Sequence, residues 1–444
     1  MSEILQIFAA ALAAVDPFFL TNEHLRRQGN HLAAGRHHFE LDEAGGVVVV
    51  GAGKAAAGMG LAAEAALGER IRAGLLVLPR GSRAHFRILA QAQAAHPLPD
   101  EAGEKAAREV LAMAAAAGER SLVLCLLSGG ASSLLAAPAV GVTLEDKQAT
   151  TGLLLGAGAG IHELNAVRKH LSAVKGGRLA AAAFPASVLT LALSDVNDDP
   201  SDVIGSGPTV ADKTTFADAW AVIGKYRLQG SIPGRVREFL ERGLAGRESE
   251  TVKADDPRLA RSTFVMIGNN ASALAGAREK ATAMGWNVEV STAPLQGEAR
   301  VAARALAVSA RKALAGLNPG EKRCLLSGGE TTVSVSGSGR GGRNQELALA
   351  FAMEISGQDG IEMLSAGSDG VDGPTDAAGA VVDGSTVERA AMVGLDAAAF
   401  LAGNDSWSFF SELDRRGGGR HHLKTGPTGT NVMDLQVLLL ARPL

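Results

Sequence analysis

Residues 321–346 form a glycine-rich stretch that reads EKRCLLSGGETTVSVSGSGRGGRNQE. An apolar run ends in Ser-Gly-Gly at residues 327–329, and the valines that alternate with serines over residues 333–336 have the period of a strand. A glycine-rich turn then leads to Arg343, after which apolar residues at spacings of four predict a helix. Glycine turns, helix N-termini and arginine forks all suit phosphate oxygens. The stretch therefore predicts a phosphate-handling site.

The length and composition are those of a globular protein with two or three domains. The 444 residues are 46% hydrophobic and 20% charged, and many of the 55 glycines stand between apolar runs, as expected for tight turns between strands and helices. The net charge is −4, and no basic stripe with interleaved aromatic residues is present. These features argue against nucleic-acid binding.

The two cysteines and the N-terminus indicate a reduced, non-membrane protein. Cys125 and Cys324 each precede Leu-Leu-Ser-Gly-Gly, which predicts small core residues on buried strands rather than a zinc site. Residues 1–20 lack a basic start, and Asp16 interrupts their apolar core, so we expect a packed helix and not a signal peptide. No apolar run reaches the roughly 18 residues of a membrane span. We expect a cytoplasmic protein, with a homodimer as one arrangement compatible with the sequence.

Strands and helices alternate along the chain. Apolar strands end in glycine or polar residues, and alanine-rich helices follow several of them. The predicted strands lie at residues 46–50, 75–78, 122–127, 188–193, 264–267, 288–290, 363–365 and 435–440. This alternation predicts a three-layer α/β domain with a mainly parallel, Rossmann-like sheet, followed by a second α/β domain.

A change of pattern marks the expected domain boundary. Charged residues are dense from residue 225 to residue 262, where runs suited to central strands are missing. We therefore expect domains at residues 1–235 and 236–444, with the first helix able to pack on the second domain. Residues 31–43 are polar and predict a loop.

The first glycine turn, residues 51–56, reads GAGKAA and follows a β-branched strand. It fits the G-x-G-x-x-A fingerprint of dinucleotide-binding sites, with Gly51 and Gly53 as its glycines. The acid that would bind a ribose is missing, because the next strand ends in Pro-Arg at residues 79–80. Lysine in a glycine turn at a strand end suits a transferring phosphoryl group, so we favour a functional role for Lys54 over a solvated one.

Four cations and a histidine crowd residues 165–178, NAVRKHLSAVKGGR. A run of this kind is usually a solvated helix face. Its position between two glycine-rich strand ends makes anion binding, for example by Arg168 and Lys175, an equal alternative.

Carboxylates follow two predicted strands. Asp195 and Asp369 are the first acids after their strands, where they could hold Mg²⁺ beside phosphates or accept a hydroxyl proton. The acids that follow them are expected to cap turns and helices. These are Asp198, Asp199, Asp372 and Asp376.

The remaining motifs are weaker. Residues 425–431, TGPTGTN, orient a substrate or form an ordinary tight turn. His96 and His170 are expected to be hydrogen-bonded scaffold residues. The sequence contains no Walker A motif, no G-x-S-x-G elbow and no histidine spacing typical of zinc.

Taken together, these segments resemble the class II glycerate 2-kinases, the family with a C-terminal MOFRL domain. Each segment is short, but they run in order over almost the whole chain. They are residues 51–54, 96–100, 127–130, 165–178, 193–195, 205–208, 327–330, 341–346, 368–373 and 425–431. One departure is Ala131-Ser132, where the family often has Gly-Ser.

The resemblance implies ATP-dependent, Mg²⁺-requiring phosphorylation of D-glycerate to 2-phosphoglycerate. It also implies two α/β domains around an active-site cleft, the second with a mixed sheet and a MOFRL region at about residues 321–440. Lys54 and Arg343 correspond to the family residues that support phosphoryl transfer.

A mechanistic hypothesis follows from the resemblance. Arg168 or Lys175 holds the carboxylate of glycerate, and Asp195 or Asp369 orients or deprotonates the 2-hydroxyl or binds Mg²⁺. Lys54 neutralises charge on the phosphoryl group together with Arg343. The other residues expected to bind substrate or phosphate are Gly51, Gly53, Ser128, Gly129, Gly130, Ser132, Ser327, Gly328, Gly329 and Asn431.

Two rival functions remain. An NAD(P)H-dependent hydroxypyruvate reductase would use the fingerprint at residues 51–56 and Arg80 for a 2′-phosphate, but it lacks the ribose-binding acid. A non-catalytic sugar-phosphate sensor would need a DNA-binding or partner module, and the sequence has none.

Overall fold

The computed structural model describes residues 1–443 and divides the chain into two compact units. The N-terminal unit is residues 17–267, and the C-terminal unit combines residues 1–16 with residues 268–444. The sequence placed the boundary at residue 236, so the units divide later than expected. The reason is that the charged segment around residues 225–262 packs against helices of the N-terminal unit.

The helices and strands are named in chain order. The helices are α1 (Glu3–Ala13), α2 (Pro17–His24), α3 (Ala56–Leu67), α4 (Glu101–Ala115), α5 (Ala131–Leu134), α6 (Leu144–Gly156), α7 (Ile161–His170), α8 (Arg178–Ala183), α9 (Phe216–Lys225), α10 (Gly234–Leu244), α11 (Asn270–Ala283), α12 (Ala299–Ala315), α13 (Arg343–Glu354), α14 (Thr386–Met392), α15 (Ala397–Ala402) and α16 (Ser406–Gly417). Short 3₁₀ helices occur at Gly68–Arg70, Ile204–Ser206 and Pro257–Leu259.

The strands are β1 (Leu25–Gln28), β2 (His31–Ala34), β3 (His37–Glu40), β4 (Val47–Ala52), β5 (Ile71–Pro79), β6 (Ala90–Ala94), β7 (Leu122–Leu127), β8 (Ser187–Leu193), β9 (Ser262–Gly268), β10 (Asn287–Val290), β11 (Leu295–Glu298), β12 (Lys322–Thr332), β13 (Ile361–Gly367), β14 (Gly379–Asp383), β15 (His422–Leu423) and β16 (Asp434–Ala441).

A six-stranded sheet organises the N-terminal unit, in the order β6-β5-β4-β7-β8-β9. The pairings from β6 through β8 are parallel. Counted in chain order, the strands lie as 3-2-1-4-5-6, which is the order of Rossmann folds. The predicted Rossmann-like sheet is therefore confirmed.

Helices cover both faces of this sheet. Val48 and Val50 of β4 share a core with α4 and α8 on one face. Gly60 of α3 lies against Leu76 of β5, which points to the opposite face from its core neighbours Leu75 and Val77. The unit thus has the three layers that the alternation predicted.

The loop predicted at residues 31–43 is wrong. Strands β1, β2 and β3 form a small antiparallel sheet there, with Leu32 paired to Phe39. Leu32 and Ala34 are buried on one face. The segment carries few apolar residues because only that face is buried, and the polar His31, His38 and Glu40 of the other face concealed the strand period.

The C-terminal unit contains a mixed sheet in the order β10-β12-β16-β13-β14-β15, with β11 paired to β12. Strands β10 and β11 run parallel to β12, whereas β16 runs antiparallel to both β12 and β13. Helices α12 and α13 share a core with one face. Helix α1 packs mainly against α11 of the same unit.

Strand β12 corrects the interpretation of its Ser-Gly-Gly segment. The strand continues through Gly328 and Gly329 to Thr332, and Gly329 pairs with Asp434 on one side and Leu295 on the other. A Cβ at Gly329 would lie 2.4 Å from the Leu295 carbonyl oxygen. These glycines permit close strand packing, and the expected second strand at residues 333–336 is a loop.

Both cysteines are core residues, as predicted. Cys125 and Cys324 are fully buried. Burial raises the pKa of each thiol to about 12, so neither is a ready nucleophile at neutral pH.

The described residues, 1–443, include no single helix with the length and hydropathy to cross a bilayer, and only the bent pair α1 and α2 meets those measures jointly.

Helices α9 and α10 bind the charged segment to the N-terminal unit. Phe216 of α9 is buried, with its ring centroid 4.6 Å from that of His170 and 5.8 Å from that of Phe239. A Cβ placed at Gly243 of α10 would lie 2.2 Å from the Phe216 ring. The two helices can approach this closely only because residue 243 has no side chain.

We expect Gly243→Ala to lower the free energy of unfolding by about 1–3 kcal/mol, because the added methyl overpacks a rigid aromatic cluster. The measurement is chemical denaturation followed by circular dichroism. Gly152→Ala is the matched control, since Gly152 is exposed on α6 of the same unit and has no atom within 4 Å of its Cβ position. That change should raise the free energy by about 0.5–1 kcal/mol through helix propensity. Equal effects of the two changes would contradict the packing described.

Candidate functional site

The carboxyl ends of β4 and β7 meet where the strand order of the N-terminal sheet reverses. Lys54 N donates to Gly129 O at 2.8 Å, and Ala55 N donates to Ser128 Oγ at 3.0 Å. A Cβ at Gly53 would lie 2.0 Å from Ser128 Oγ, so this position requires glycine. Ligands of open α/β sheets bind at such a reversal point, which gives Lys54 a site-forming position.

The Ser-Gly-Gly turn after β7 also packs against a histidine. Gly130 has φ +86°, and a Cβ there would lie 2.9 Å from His96 Cδ2. Gly51 approaches the neighbouring strand as closely, with Leu126 O 2.1 Å from its Cβ position. Glycine at residue 51 is therefore needed for the backbones of β4 and β7 to approach, and glycine at residue 130 leaves room for the His96 ring.

Ser132 accepts hydrogen bonds from two basic side chains. Its Oγ accepts from Arg168 Nη2 at 2.7 Å and from Lys175 Nζ at 2.9 Å. The Ser132 hydroxyl also lies 2.8 Å from Ser206 Oγ, which donates to Asn165 Oδ1 at 3.0 Å. Since both Ser132 lone pairs are occupied, its proton goes to Ser206. The sequence expected Ser132 to contact substrate, but its hydrogen-bonding capacity is filled by holding the cations.

The cation-rich segment at residues 165–178 is largely buried, which contradicts one of its two interpretations. Lys169 and Lys175 are each only 2% exposed, and His170 is fully buried. The solvated helix face is therefore wrong for these residues. His170 bonds Ala166 O and Glu250 Oε2, and so has the scaffold role predicted for it.

Lys147 is a cation that the sequence interpretation missed. It lies on α6, is 7% exposed, and donates to Ala136 O at 3.0 Å. Burial, reinforced by Arg168, lowers its pKa to about 7. Burial and the charges of Arg168 and Lys147 lower the pKa of Lys175 well below its ordinary value. A lysine in the first turn of a capped helix gives no sequence signal of such burial.

Asp195 lies two residues after the end of β8 and is half-buried. Ser194 shapes the turn, because its Oγ accepts from Val196 N at 3.2 Å. Asp198 and Asp199 adopt left-handed backbone conformations, with φ of 62° and 50°. The geometry agrees with turn-forming roles for the latter two acids.

Arg343 opens α13 of the C-terminal unit and is held by two carboxylates. Its Nε and Nη2 donate to Asp434 at 2.5 and 2.8 Å, and its Nη1 lies 2.9 Å from Glu330 Oε1. Burial alone would lower its pKa, but the hydrogen bonds and charge of Asp434, assisted by Glu330, raise it. Arg343 is therefore permanently charged and oriented by Asp434, whose side chain is 1% exposed.

The N-terminus of α13 is filled by a protein carboxylate, contrary to the phosphate site expected there. Asn344 N and Gln345 N donate to Asp372 at 3.0 and 2.9 Å, and Gln345 Nε2 adds a bond of 2.9 Å. Burial raises the pKa of Asp372 to about 6, although these N–H groups lower it in part. The expectation that Asp372 caps a helix is confirmed.

The glycine-rich turn before α13 has a packing role. Gly337 N donates to Asn404 Oδ1 at 2.9 Å, and Gly339 N donates to Gly403 O at 3.0 Å. A Cβ at Gly337 would lie 2.2 Å from the Gly403 carbonyl oxygen. The amides that were expected to cradle phosphate are thus committed to this segment.

Asp369 lies beside the loop that precedes β16. Its Oδ1 accepts from Val371 N at 3.0 Å, and its backbone oxygen accepts from Thr428 N at 3.2 Å. Asn431 in the same loop accepts from Met433 N at 3.4 Å. The structure thus brings Asp369 and residues 425–431 to the same edge of the C-terminal sheet.

Comparison with known proteins covers both units. Residues 3–241 match the family described as Domain of unknown function (DUF4147), and residues 323–434 match the MOFRL family. Glycerate kinase of Danio rerio is 38% identical over 488 residues, covering 98% of this chain and 96% of the relative. D-glycerate 2-kinase of Thermotoga maritima is 43% identical over 396 residues, covering 89% of this chain and 90% of the relative.

Two further comparisons bear on fold and naming. The crystal structure of glycerate kinase from Thermotoga maritima matches with a TM-score of 0.83 and 39% identity, covering 99% of each chain. A relative from Agrobacterium vitis that carries a hydroxypyruvate reductase name is 39% identical over 441 residues, covering 98% of this chain and 93% of the relative. The similarity in sequence and structure therefore extends over almost the whole chain.

We expect Asp372→Ala to lower the free energy of unfolding by about 2–4 kcal/mol, because it leaves buried N–H groups at the start of α13 without acceptors. Denaturant unfolding measures the change. Asp396→Ala is the control in the same unit, because Asp396 caps the exposed start of α15 with bonds of 3.0 and 3.2 Å. Its expected cost is about 1 kcal/mol. A smaller cost for Asp372 than for Asp396 would contradict the capping role.

Proposed function

This chain belongs to the class II glycerate kinase family, and we propose that it transfers the γ-phosphoryl group of ATP to the 2-hydroxyl of D-glycerate. The observation that carries the proposal is the match to D-glycerate 2-kinase of Thermotoga maritima, at 43% identity over 89% of the chain. The position of Lys54 at the strand-order reversal of a Rossmann-like sheet supports it.

The proposed reaction forms a bond between the glycerate 2-oxygen and the γ-phosphorus and breaks the bond from that phosphorus to the bridging oxygen of ADP. The hydroxyl proton passes to a carboxylate, for which Asp195 and Asp369 are the candidates. Lys54 and Arg343 neutralise charge on the transferring group. Arg168 and Lys175 hold the carboxylate of glycerate, which is supported by their common contact with Ser132 Oγ.

The chain offers Mg²⁺ single carboxylates and no complete set of protein ligands. Among residues 1–443, no group of three or more His, Cys, Asp or Glu side chains is placed to hold a metal ion. Kinases usually bind Mg²⁺ through one or two carboxylates together with substrate phosphates, so a full protein cage is not required. Asp195 and Asp369 each offer one carboxylate after a strand. When bound with the nucleotide, Mg²⁺ would neutralise phosphate charge.

A hydroxypyruvate reductase is the second candidate, favoured by the Rossmann strand order and by the name of the Agrobacterium vitis relative. Against it, Arg80 after β5 forms an ion pair of 2.6 Å with Asp100. Asp100 also accepts from Gly103 N at the start of α4, so it is engaged on both sides, and the missing ribose-binding acid argues against the reductase.

A coupled assay separates the two candidates. We expect the purified chain to form ADP from ATP in the presence of D-glycerate, with 2-phosphoglycerate as the product identified by ³¹P NMR. NAD(P)H with hydroxypyruvate should give no oxidation above background. Oxidation of NAD(P)H without consumption of ATP would reverse the assignment, and 3-phosphoglycerate would refute transfer to the 2-hydroxyl.

We expect Lys54→Ala and Arg343→Lys each to lower kcat at least about 100-fold, because each removes charge or geometry that stabilises the transferring group. Steady-state kinetics with D-glycerate and ATP measure the effect, and circular dichroism checks the fold. Arg340→Lys is the control for Arg343, since Arg340 is exposed and stacks on Trp407 at 4.2 Å from the ring centroid. Unchanged kcat in Arg343→Lys would remove Arg343 from the chemistry.

A further inference from the structure

Three basic side chains of the N-terminal unit, the buried Lys147 and Lys175 and the partly buried Arg168, have no carboxylate partner among the ion pairs of residues 1–443. Lys147 and Lys175 are 7% and 2% exposed. Lys147 Nζ lies 3.4 Å from Ala137 O, which also accepts from Ser172 Oγ at 3.2 Å, and Arg168 and Lys175 both donate to Ser132 Oγ. Glu104 is the acid whose charge reaches Lys147, and it already bonds Arg108 at 2.7 and 3.0 Å.

Lys169, a neighbouring buried lysine, is paired with carboxylates. Lys169 is as buried as Lys175, and it lies 3.1 Å from both Asp202 and Asp212. Helix α7 therefore carries Lys169 with two carboxylates and Arg168 with none. Lys169 is therefore a structural cation with its charge paired, whereas the charge of Arg168 is not paired by a carboxylate.

The charged forms of the two lysines are costly to the folded protein. Burial and the nearby like charges disfavour them, which lowers the pKa of both amines, whereas Arg168 stays charged. An arrangement of this kind is stable in a functional site when a ligand supplies the missing charge. The missing ligand is an anion small enough to reach side chains that are almost wholly buried.

We propose that Lys147 joins Arg168 and Lys175 in one anion-binding site, and that this site binds the carboxylate of the acceptor substrate and selects acids over neutral alcohols. The inference rests on the proposed function, which it extends by a residue that the family resemblance did not supply. Lys147 acts as a binding residue for the acid group.

The hydrogen bonds around the site hold the cations without neutralising them. Lys147 gives two of its three N–H groups to Ala136 O and Ala137 O, at 3.0 and 3.4 Å. Lys175 gives two to Ser132, and Arg168 gives one of its five. The partners are carbonyl and hydroxyl oxygens, so the positive charge and several N–H groups are left for an oxyanion.

The test is Lys147→Met, which keeps the length of the side chain and removes its charge. We expect KM for D-glycerate to rise about 10- to 100-fold, as for loss of a charged hydrogen bond, with kcat and KM for ATP changed less than about threefold. The preference for D-glycerate over its uncharged amide, as a ratio of kcat/KM, should fall by a similar factor. An unchanged KM for D-glycerate overturns the proposal, and a rise in KM for ATP alone assigns the site to the nucleotide and also overturns it.

Thermal unfolding separates binding from a structural role. Lys147→Met should lower Tm of the ligand-free protein by less than Lys169→Met does, because it removes hydrogen bonds to two backbone carbonyls but leaves no buried carboxylate unpaired. Lys169→Met should lower Tm, since it leaves Asp212 buried without its partner. Lys105→Met, on the exposed face of α4, controls for loss of a lysine and should change neither KM nor Tm. A clear fall of Tm in Lys147→Met with an unchanged KM would make Lys147 structural and refute the proposal.

Equilibrium binding keeps this proposal distinct from the kinase assignment. Calorimetry with D-glycerate, with and without a non-hydrolysable ATP analogue, should give binding to the wild-type chain that is weakened in Lys147→Met. If the wild-type chain binds D-glycerate but transfers no phosphoryl group, the kinase assignment fails and the site stands. If it phosphorylates D-glycerate while Lys147→Met binds it equally well, the site fails and the kinase assignment stands.

Discussion

The close approach of β4 and β7 is the constraint on which the N-terminal site depends. Their backbones touch at Gly51 and Gly53, where side chains would collide with Leu126 O and Ser128 Oγ. Because the two strands end together, Lys54 N reaches Gly129 O, and Ser128 Oγ accepts from Ala55 N at the start of α3. The result is a rigid turn at the reversal of strand order, the position at which parallel sheets bind ligands. A Cβ at either glycine would separate the strands and displace this turn.

Strand order alone does not identify the reaction, because the same order occurs in dinucleotide-binding enzymes and in others. The residues that follow the strands distinguish a kinase from a dinucleotide-dependent reductase. Lys54 follows β4, and β5 ends beside Arg80, which Asp100 neutralises. A ribose acid would be expected after β5 in a dinucleotide enzyme. The turn residues therefore favour handling of a phosphoryl group over recognition of a nicotinamide nucleotide.

The sequence predicted most of the fold, because strands buried on both faces are continuous apolar runs. Strand β7 is Leu122–Leu127 as expected, and Leu347 and Phe351 of α13 are buried as their spacing indicated. The sequence-based assignments were wrong for residues whose structure depends on contacts with distant parts of the chain. Gly328 reads as a turn residue but lies within β12, because Asn270 occupies the space of its missing side chain. Lys147 was missed for the same reason, since its burial depends on carbonyls of the segment after α5.

The carboxylates of Asp434 and Glu330 both contact Arg343, but they hold it with different strength. Asp434 is buried and bonds two nitrogens of the guanidinium, so breaking this contact would leave a buried charge unpaired, at a cost of about 3–5 kcal/mol. Glu330 is 45% exposed and faces Nη1 at 2.9 Å. Glu330 is the more exposed of the two acids, so in the proposed reaction Nη1 would exchange Glu330, and not Asp434, for a phosphoryl oxygen. The bidentate contact with Asp434 therefore fixes the orientation of the guanidinium, and the Glu330 side is the one through which Arg343 can act.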